Sequence, residues 1–258
     1  MLLAVLLTGC APAVSAGEPL IVLSEAASPT PLVALREKPT PPAASRNDDD
    51  AAEGVDSSGQ PAASGSSPGQ SRILREEILG VLGRLEVKGR APQTGYDRDL
   101  FGNGWKDPDR NGCDARNDTL KRDLTAIEVK PATGGCVVLS GLLEDPFTGN
   151  DVAFLRGQET SADVQIDHLV ALSDAWQKGA QQLDPETREL FANDPLNLLA
   201  VDGAQNMSKG DGDAATWLPP NKAFRCDYVA RQVQVKEKYR LWVTPAERDA
   251  ITAVADAC

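Results

Sequence analysis

The stretch Gln165-Ile166-Asp167-His168-Leu169-Val170 contains the single histidine of the 258-residue chain, and a second informative stretch follows at residues 197–209, Asn-Leu-Leu-Ala-Val-Asp-Gly-Ala-Gln-Asn-Met-Ser-Lys. In the first stretch, apolar residues alternate with polar ones, which predicts a strand that runs into Asp167 and His168. The second stretch predicts a strand, a turn and the start of a helix. We therefore predict a strand, strand, helix unit with an acid and a histidine at the end of its first strand.

The residue types in this unit suit the hydrolysis of a phosphodiester bond. His168 has an ordinary pKa near neutral pH and is the candidate general base for water. A hard divalent ion, Mg²⁺ or alternatively Mn²⁺, prefers oxygen ligands such as Asp167 and Asn206, and it would neutralise charge on the phosphate and the leaving 3′ oxygen. Asn197 is expected to orient the imidazole by a hydrogen bond. Lys209 shares a helix face with Asn206 and is expected to assist catalysis by binding a phosphate beside the metal.

The composition limits how the chain can bind nucleic acid. Its formal net charge is −12, which is not typical of a protein that coats nucleic acid, so any contact would be local or carried by a metal ion. The acidity also favours two alternatives. One is a non-catalytic, calcium-stabilised surface lipoprotein that binds a partner through its acidic face. The other is a metal-dependent hydrolase of small phosphoesters.

The N-terminal residues predict export. Residues 1–16 form a short apolar run followed by small residues, which is too short to span a bilayer and is typical of an export signal. Leu7-Thr8-Gly9-Cys10 resembles a bacterial lipobox and predicts lipidation of Cys10, hence an anchor at the cell surface; cleavage after Ala16 would instead give a freely secreted protein. Residues 17–70 are rich in Pro, Ala, Ser, Gly and Asp and predict a disordered tether. The folded domain is expected at residues 71–258, as a monomer.

Export implies an oxidising compartment, in which the four cysteines after Cys10 are expected to form two disulfides. Three pairings are possible, and we predict the pairing of neighbours, Cys113 with Cys136 and Cys226 with Cys258. The alternative, a zinc site built from all four thiolates, is disfavoured because the chain has no Cys-x-x-Cys pair.

The predicted elements indicate an α+β fold. Apolar residues recur at helical spacing from Ile73 to Leu85, whereas residues 87–112 are rich in Gly, Pro, Asp and Arg and predict a loop. Further helices are predicted at residues 117–124, 184–191 and 221–240 and from Thr244, where Thr-Pro-Ala-Glu is a capping box; further strands are predicted at residues 137–139 and 196–201.

Two weaker patterns concern ligands outside the central unit. Asp107, Asp109 and Asn111 place oxygens at every second position before a glycine, with Asp118 at the twelfth, which predicts a structural calcium loop. An ordinary turn rich in Asp and Asn is the alternative. Arg116 is a candidate phosphate ligand, with an internal salt bridge as the alternative.

The motifs together resemble the HNH nucleases. Asp167-His168, Asn197 and Asn206-x-x-Lys209 occur in that family's order, and the best resemblance is to exported HNH proteins related to the C-terminal domain of GmrSD-type restriction enzymes. It covers about residues 73 to 258. Further matching stretches are Val87 to Tyr96, Trp105, Cys113 to Asn117, Asp145 to Gly149, Asn193 to Val201, Ser208 to Asp211 and Trp217 to Pro219.

This resemblance implies a disulfide-stabilised ββα-metal core with surrounding helices and a single divalent ion bound by Asp167 and Asn206. It implies His168 as the base and Asn197 as its orienting residue, in an endonuclease that cleaves DNA, or alternatively RNA, outside the cytoplasm. Because no base-reading element is visible, we expect low sequence specificity. Asn206 stands where the last histidine of the family's motif is usual, so metal binding is expected to be modest and water-rich.

Overall fold

The computed structural model describes residues 68–258, except the side chains of residues 68–71 and 73, and shows a mixed α+β fold. The predictions for the export signal, Cys10 and almost all of the tether lie outside the described residues. The described part contains the helices α1 (Pro68–Leu82), α2 (Ala115–Asp123), α3 (Leu172–Gln177), α4 (Pro185–Ala192), α5 (Gly203–Lys209), α6 (Arg225–Lys238) and α7 (Pro245–Asp256). Its strands are β1 (Leu124–Val129), β2 (Val138–Glu144), β3 (Asp151–Leu155), β4 (Val164–His168) and β5 (Leu198–Asp202).

The strands form two antiparallel sheets, β1-β2-β3 and β4-β5. The strand, strand, helix order predicted for the two informative stretches is confirmed, since β4 ends at His168 and α5 follows β5 directly. The caps predicted for two helices are also confirmed: Asp184 caps α4, and Thr244 forms a capping box with Glu247 at the start of α7.

The β4-β5 ribbon lies between two apolar clusters. Its residues Leu199 and Val201 pack in the cluster that contains residues of α1, α6 and α7, whereas Leu198 and Ala200 pack against the three-stranded sheet. Cross-strand partners share a face of the ribbon, and Asp167 pairs with Leu199 while His168 pairs with Leu198. The acid therefore faces the helical side of the ribbon and the imidazole faces the opposite side.

The free edge of β5 is covered by side chains instead of a third strand. Arg122 Nη2 donates to the Leu198 carbonyl at 2.7 Å, and the Ala200 amide donates to Asp123 Oδ2 at 2.8 Å. Asp145, which is fully buried, accepts from the Asp202 amide at 2.9 Å. Because unpaired backbone groups at a strand edge are costly when buried, these contacts fix the strand that carries the second half of the site.

Both predicted disulfides are confirmed. Cys113–Cys136 joins the loop before α2 to the connection between β1 and β2, and Cys226–Cys258 joins the start of α6 to the segment that follows α7. Each bridge closes a loop outside the β4-β5 ribbon, so the disulfides constrain the elements that surround the site.

Six charged groups meet between α3, α6 and α7, and five of them are almost completely buried. Lys178 Nζ lies 2.7 Å from carboxylate oxygens of Asp174, Asp213 and Glu247. Lys236 Nζ lies 2.9 Å from Glu247 and 3.3 Å from Asp174. The sixth group, Arg90, is partly exposed and lies 2.9 Å from Asp174 and 2.7 Å from Asp213. Three cations thus neutralise three carboxylates, and we call these six residues the Lys178 network.

The charges of the Lys178 network are held by their partners. Burial by itself lowers the pKa of Lys236, but Glu247 and Asp174 outweigh it and raise the pKa above its ordinary value. Burial likewise raises the pKa of Asp213, but hydrogen bonding and attraction to Lys178 outweigh it and lower the pKa. Lys236 and Asp213 therefore stay ionised inside the protein, where an unpaired charge would be strongly unfavourable.

No helix in residues 68–258 is long and apolar enough to cross a membrane.

We expect Lys178→Met to lower the free energy of unfolding by about 3–5 kcal/mol, because it leaves buried carboxylates without their common cation. Arg248→Met is the matched control, since Arg248 pairs only with its exposed neighbour Asp249 and should change stability by about 0.5 kcal/mol or less. Urea denaturation of both variants measures the difference. Equal losses in the two variants would show that the network does not hold the fold together.

Candidate active site

His168, the last residue of β4, is buried and held by a backbone carbonyl. Its Nε2 lies 2.9 Å from the oxygen of Ala192, the last residue of α4. A carbonyl oxygen can only accept a hydrogen bond, so Nε2 carries the proton and donates. In the neutral ring, Nδ1 is then left with its lone pair free to accept a proton, as a general base requires.

Asn197 makes no hydrogen bond to the imidazole in the described structure, unlike the prediction from the sequence. Its side-chain oxygen accepts from the Val170 amide at 2.9 Å, and its side-chain nitrogen donates to the Val170 carbonyl at 3.3 Å. Its backbone carbonyl also accepts from the Leu169 amide at 2.8 Å. The Asn197 side chain is fully buried and holds the backbone of the residues that follow His168. It therefore helps to position the end of β4, whereas the Ala192 carbonyl orients the imidazole ring.

The imidazole stacks on Trp105. The two ring centroids are 5.9 Å apart and the planes are nearly parallel, with an angle of 8°. Beside them lies a cavity of about 170 Å³, whose lining includes Arg98, Phe101, Trp105, His168 and Ala192. His168 is therefore buried by packing yet borders an open space.

The surroundings of His168 favour its neutral form. Burial lowers its pKa to about 3; the hydrogen bond to Ala192 opposes this shift, and the positive charges of Arg98 and Lys209 add to it. The sequence alone predicted a pKa near neutral. The structure instead describes an imidazole that is neutral at neutral pH and is a weak base in the absence of substrate.

Asp167 and Lys209 form a buried ion pair on the other face of the ribbon. Lys209 Nζ donates to Asp167 Oδ1 at 2.8 Å and to the His168 carbonyl at 2.7 Å. The Lys209 side chain is completely inaccessible, so in this structure it holds the Asp167-His168 end of β4 and does not face a surface where phosphate would bind. Its phosphate contact, predicted from the sequence, would require this pair to open.

The second oxygen of Asp167 is buried without a hydrogen-bond partner among the described residues. Asn206, on α5, donates from its side chain to Gln165 Oε1 at 2.8 Å, and Gln165 and Asp167 share a face of β4 because they alternate along the strand. A carboxylate oxygen without a partner and a side-chain amide oxygen are both types of donor that a hard cation accepts. The chemistry of the two predicted ligands therefore fits a divalent ion, although no group of three or more His, Cys, Asp or Glu side chains within residues 68–258 is arranged to hold one.

The comparisons with known proteins identify the family. The model for the C-terminal domain of GmrSD restriction endonucleases matches residues 114–254, more than half of the chain. The chain belongs to this family. A protein of Arthroderma benhamiae described as an uncharacterized secreted protein is 36% identical over 180 residues, which is 69% of this chain and 83% of that protein. No solved structure matches. The resemblance drawn from the motifs is thus confirmed.

In this GmrSD C-terminal domain, the predicted calcium loop is closed by its own hydrogen bonds. Asp107 accepts from the Asn111 and Gly112 amides, and the Asn111 side chain donates to Asp109 at 3.0 Å and to Asp118 at 3.1 Å. These bonds are those of a turn rich in Asp and Asn. Calcium binding stays a prediction.

Arg116, the candidate phosphate ligand, does not form the internal salt bridge considered as its alternative role. It is half-buried, and no described carboxylate lies within ion-pair distance. Burial lowers its pKa and the neighbouring charge of Arg156 lowers it further, while Asp114 opposes the shift. It does not line the His168 cavity, so its phosphate role stays a prediction.

Sequence reasoning missed several groups of the site. The Ala192 carbonyl is a backbone group and carries no sequence signal, whereas Gln165 lies inside the first informative stretch, two residues before Asp167, and its position on the same strand face could have indicated it. The Lys178 network was also missed, because its members are spread along the chain from residue 90 to residue 247.

The lowered pKa of His168 predicts a pH dependence of stability. As the pH falls below about 6.5, the unfolded chain binds a proton on this residue and the folded protein does not, so stability decreases until the pH reaches about 3. Between pH 7.5 and pH 5, we expect the free energy of unfolding to fall by about 2 kcal/mol more in the wild type than in His168→Gln. Denaturant titrations at both pH values measure this, and parallel losses in the two proteins would contradict the assignment of a buried neutral imidazole.

Proposed function

We propose that this protein is a metal-dependent endonuclease that hydrolyses phosphodiester bonds, with His168 as the general base. The observation that supports it most directly is the hydrogen bond from His168 Nε2 to the Ala192 carbonyl, which leaves Nδ1 to accept a proton at the end of a strand, strand, helix unit. Membership of the GmrSD restriction endonuclease C-terminal family supports the same activity. We propose that β4, β5 and α5 form a ββα-metal core.

In this mechanism, His168 Nδ1 takes a proton from water as the water oxygen bonds to phosphorus. The bond from phosphorus to the 3′ oxygen then breaks, and that oxygen leaves with the electron pair. The Ala192 carbonyl keeps the ring oriented, and it still accepts from Nε2 after Nδ1 is protonated. Asp167 and Asn206 would hold one Mg²⁺ or Mn²⁺, which supplies charge neutralisation at the phosphate and the leaving oxygen.

The proposed substrate is DNA, with RNA as the alternative, and the proposed location is outside the cytoplasm. The location is supported by the two disulfides and by the relative that is described as secreted. A lipid anchor at Cys10, a monomeric state and a structural calcium ion belong to the same proposal. The surrounding acidity is compatible with a local contact to the substrate and not with extended coating of nucleic acid.

We expect the purified protein to nick supercoiled plasmid with Mg²⁺ or Mn²⁺ and not with EDTA, and we expect His168→Ala to lose about 100-fold or more of the rate, as is usual for removal of a general base. Arg248→Met, which changes an exposed residue of α7, is the control and should keep the rate. Thermal melts of each variant establish that it is folded.

Three outcomes would reject the proposal in different ways. A folded protein that is inactive with every metal favours the non-catalytic binding protein. Hydrolysis of a chromogenic phosphate monoester without nicking favours a hydrolase of small phosphoesters. Nicking that survives in His168→Ala assigns the activity to another site or to a contaminant.

The oxidised state gives an independent prediction about export. Intact mass spectrometry of the protein isolated from its native source, before and after alkylation without reductant, should show Cys113, Cys136, Cys226 and Cys258 all protected. After reduction, the same four residues should take up the alkylating reagent. Four free thiols without reductant would contradict both the disulfides and an oxidising location.

A further inference from the structure

The proposed nuclease needs a cation beside His168 to attract a phosphate, and most basic residues near the motifs are already paired. Arg90 pairs with Asp174 and Asp213 in the Lys178 network, and Lys209 pairs with Asp167. Lys106 lies 3.5 Å from Glu189. No carboxylate within residues 68–258 lies within ion-pair distance of the Arg98 guanidinium, and Arg98, unlike the unpaired Arg116, lines the His168 cavity.

Arg98 stays unpaired although it is flanked by two acids in the sequence Asp97-Arg98-Asp99. The Asp97 carboxylate accepts a hydrogen bond from the Asp99 amide at 2.9 Å and so caps the short 3-10 helix Arg98–Phe101. The Asp97 carboxylate is therefore bound to the backbone of this short helix. The guanidinium keeps its five donors available for another partner.

The position of Arg98 joins it to the proposed base. Arg98 lines the same cavity as His168 and Trp105, and the side chain is exposed, so a ligand from solvent can reach it. Its planar fork of donors matches two oxygens of a phosphate group.

We propose that Arg98 binds a non-bridging phosphate oxygen of the nucleic acid in the His168 cavity and so positions the bond that is cleaved. This assignment rests on the proposed nuclease function and adds its substrate-binding residue. The same assignment explains how a chain of net charge −12 could contact a polyanion locally. The contact would depend on one unpaired guanidinium beside the proposed base, and not on the charge of the whole protein.

The experiment compares Arg98→Met and Arg98→Lys with Arg248→Met, which removes the same charge from an exposed position on α7. Steady-state cleavage of a fluorescent duplex oligonucleotide gives kcat and KM. We expect Arg98→Met to reduce kcat/KM by about 10- to 100-fold, because a charged hydrogen bond to the substrate is lost. Arg98→Lys should recover part of the loss, since it keeps the charge but not the paired donors. Arg248→Met should match the wild type.

A binding measurement separates this assignment from the proposed function. Fluorescence polarisation of the same oligonucleotide is measured at several salt concentrations in the His168→Ala background, with and without Arg98→Met. Loss of one phosphate contact should make the slope of log affinity against log salt shallower by about 0.9, an effect that a purely structural change would not produce.

Each outcome has one meaning. If the wild type cleaves and Arg98→Met has the kcat/KM of Arg248→Met with an unchanged salt slope, the Arg98 assignment is wrong and the nuclease function stands. If the wild type does not cleave with any metal but Arg98→Met weakens oligonucleotide binding and flattens the slope, Arg98 binds phosphate and the nuclease function is wrong. If neither cleavage nor binding depends on Arg98, both its phosphate contact and its positioning role are overturned.

Discussion

Lys178 is the group on which the arrangement of helices α3, α6 and α7 depends. Its ammonium has no contact with solvent and is 2.7 Å from three carboxylates that come from separate parts of the chain. A buried charge is tolerated only when its partners are in place, so a shift of any one of these elements leaves an unpaired charge in the interior. Apolar packing alone would permit small slides between helices, whereas six charged groups with fixed partners define one register.

The Lys178 network also limits the movement of the candidate site. Asp174 lies on α3, which follows His168 closely in the chain, and Asp213 lies in the loop that follows α5 and Lys209. Both chain segments that leave the β4-β5-α5 unit are therefore attached to the same buried cation. The second buried pair, Lys209 with Asp167, closes the unit from inside, and its ammonium also binds the His168 carbonyl. Rigid support of this kind is what a reacting group needs to keep its geometry.

The sequence predicted the parts of the fold that local signals describe. Strand β4, helix α4 with Asp184 as its cap, and helix α7 with its capping box all follow from residues close together in the chain. Strand β1 was missed because a bulge between Thr125 and Glu128 breaks its alternation, and helix α3 was missed because it is short and has no side-chain cap. In the candidate site, Asp167 and His168 were predicted from the residues next to them in the sequence. The partner of the imidazole was not, since the Ala192 carbonyl is brought to it only by tertiary folding.

His168 and Asp167 lie on opposite faces of β4, and the two faces have different electrostatic surroundings. The imidazole faces the side of the ribbon where burial, Trp105 and the Ala192 carbonyl favour an uncharged ring. The Asp167 carboxylate faces the other side, where one of its oxygens accepts a hydrogen bond from the Lys209 ammonium. The other oxygen has no hydrogen-bond partner among the described residues. If both groups shared a face, the carboxylate would stabilise the charged imidazolium and raise the pKa of His168. The alternation of side chains along β4 prevents this, because consecutive residues of a strand point to opposite faces.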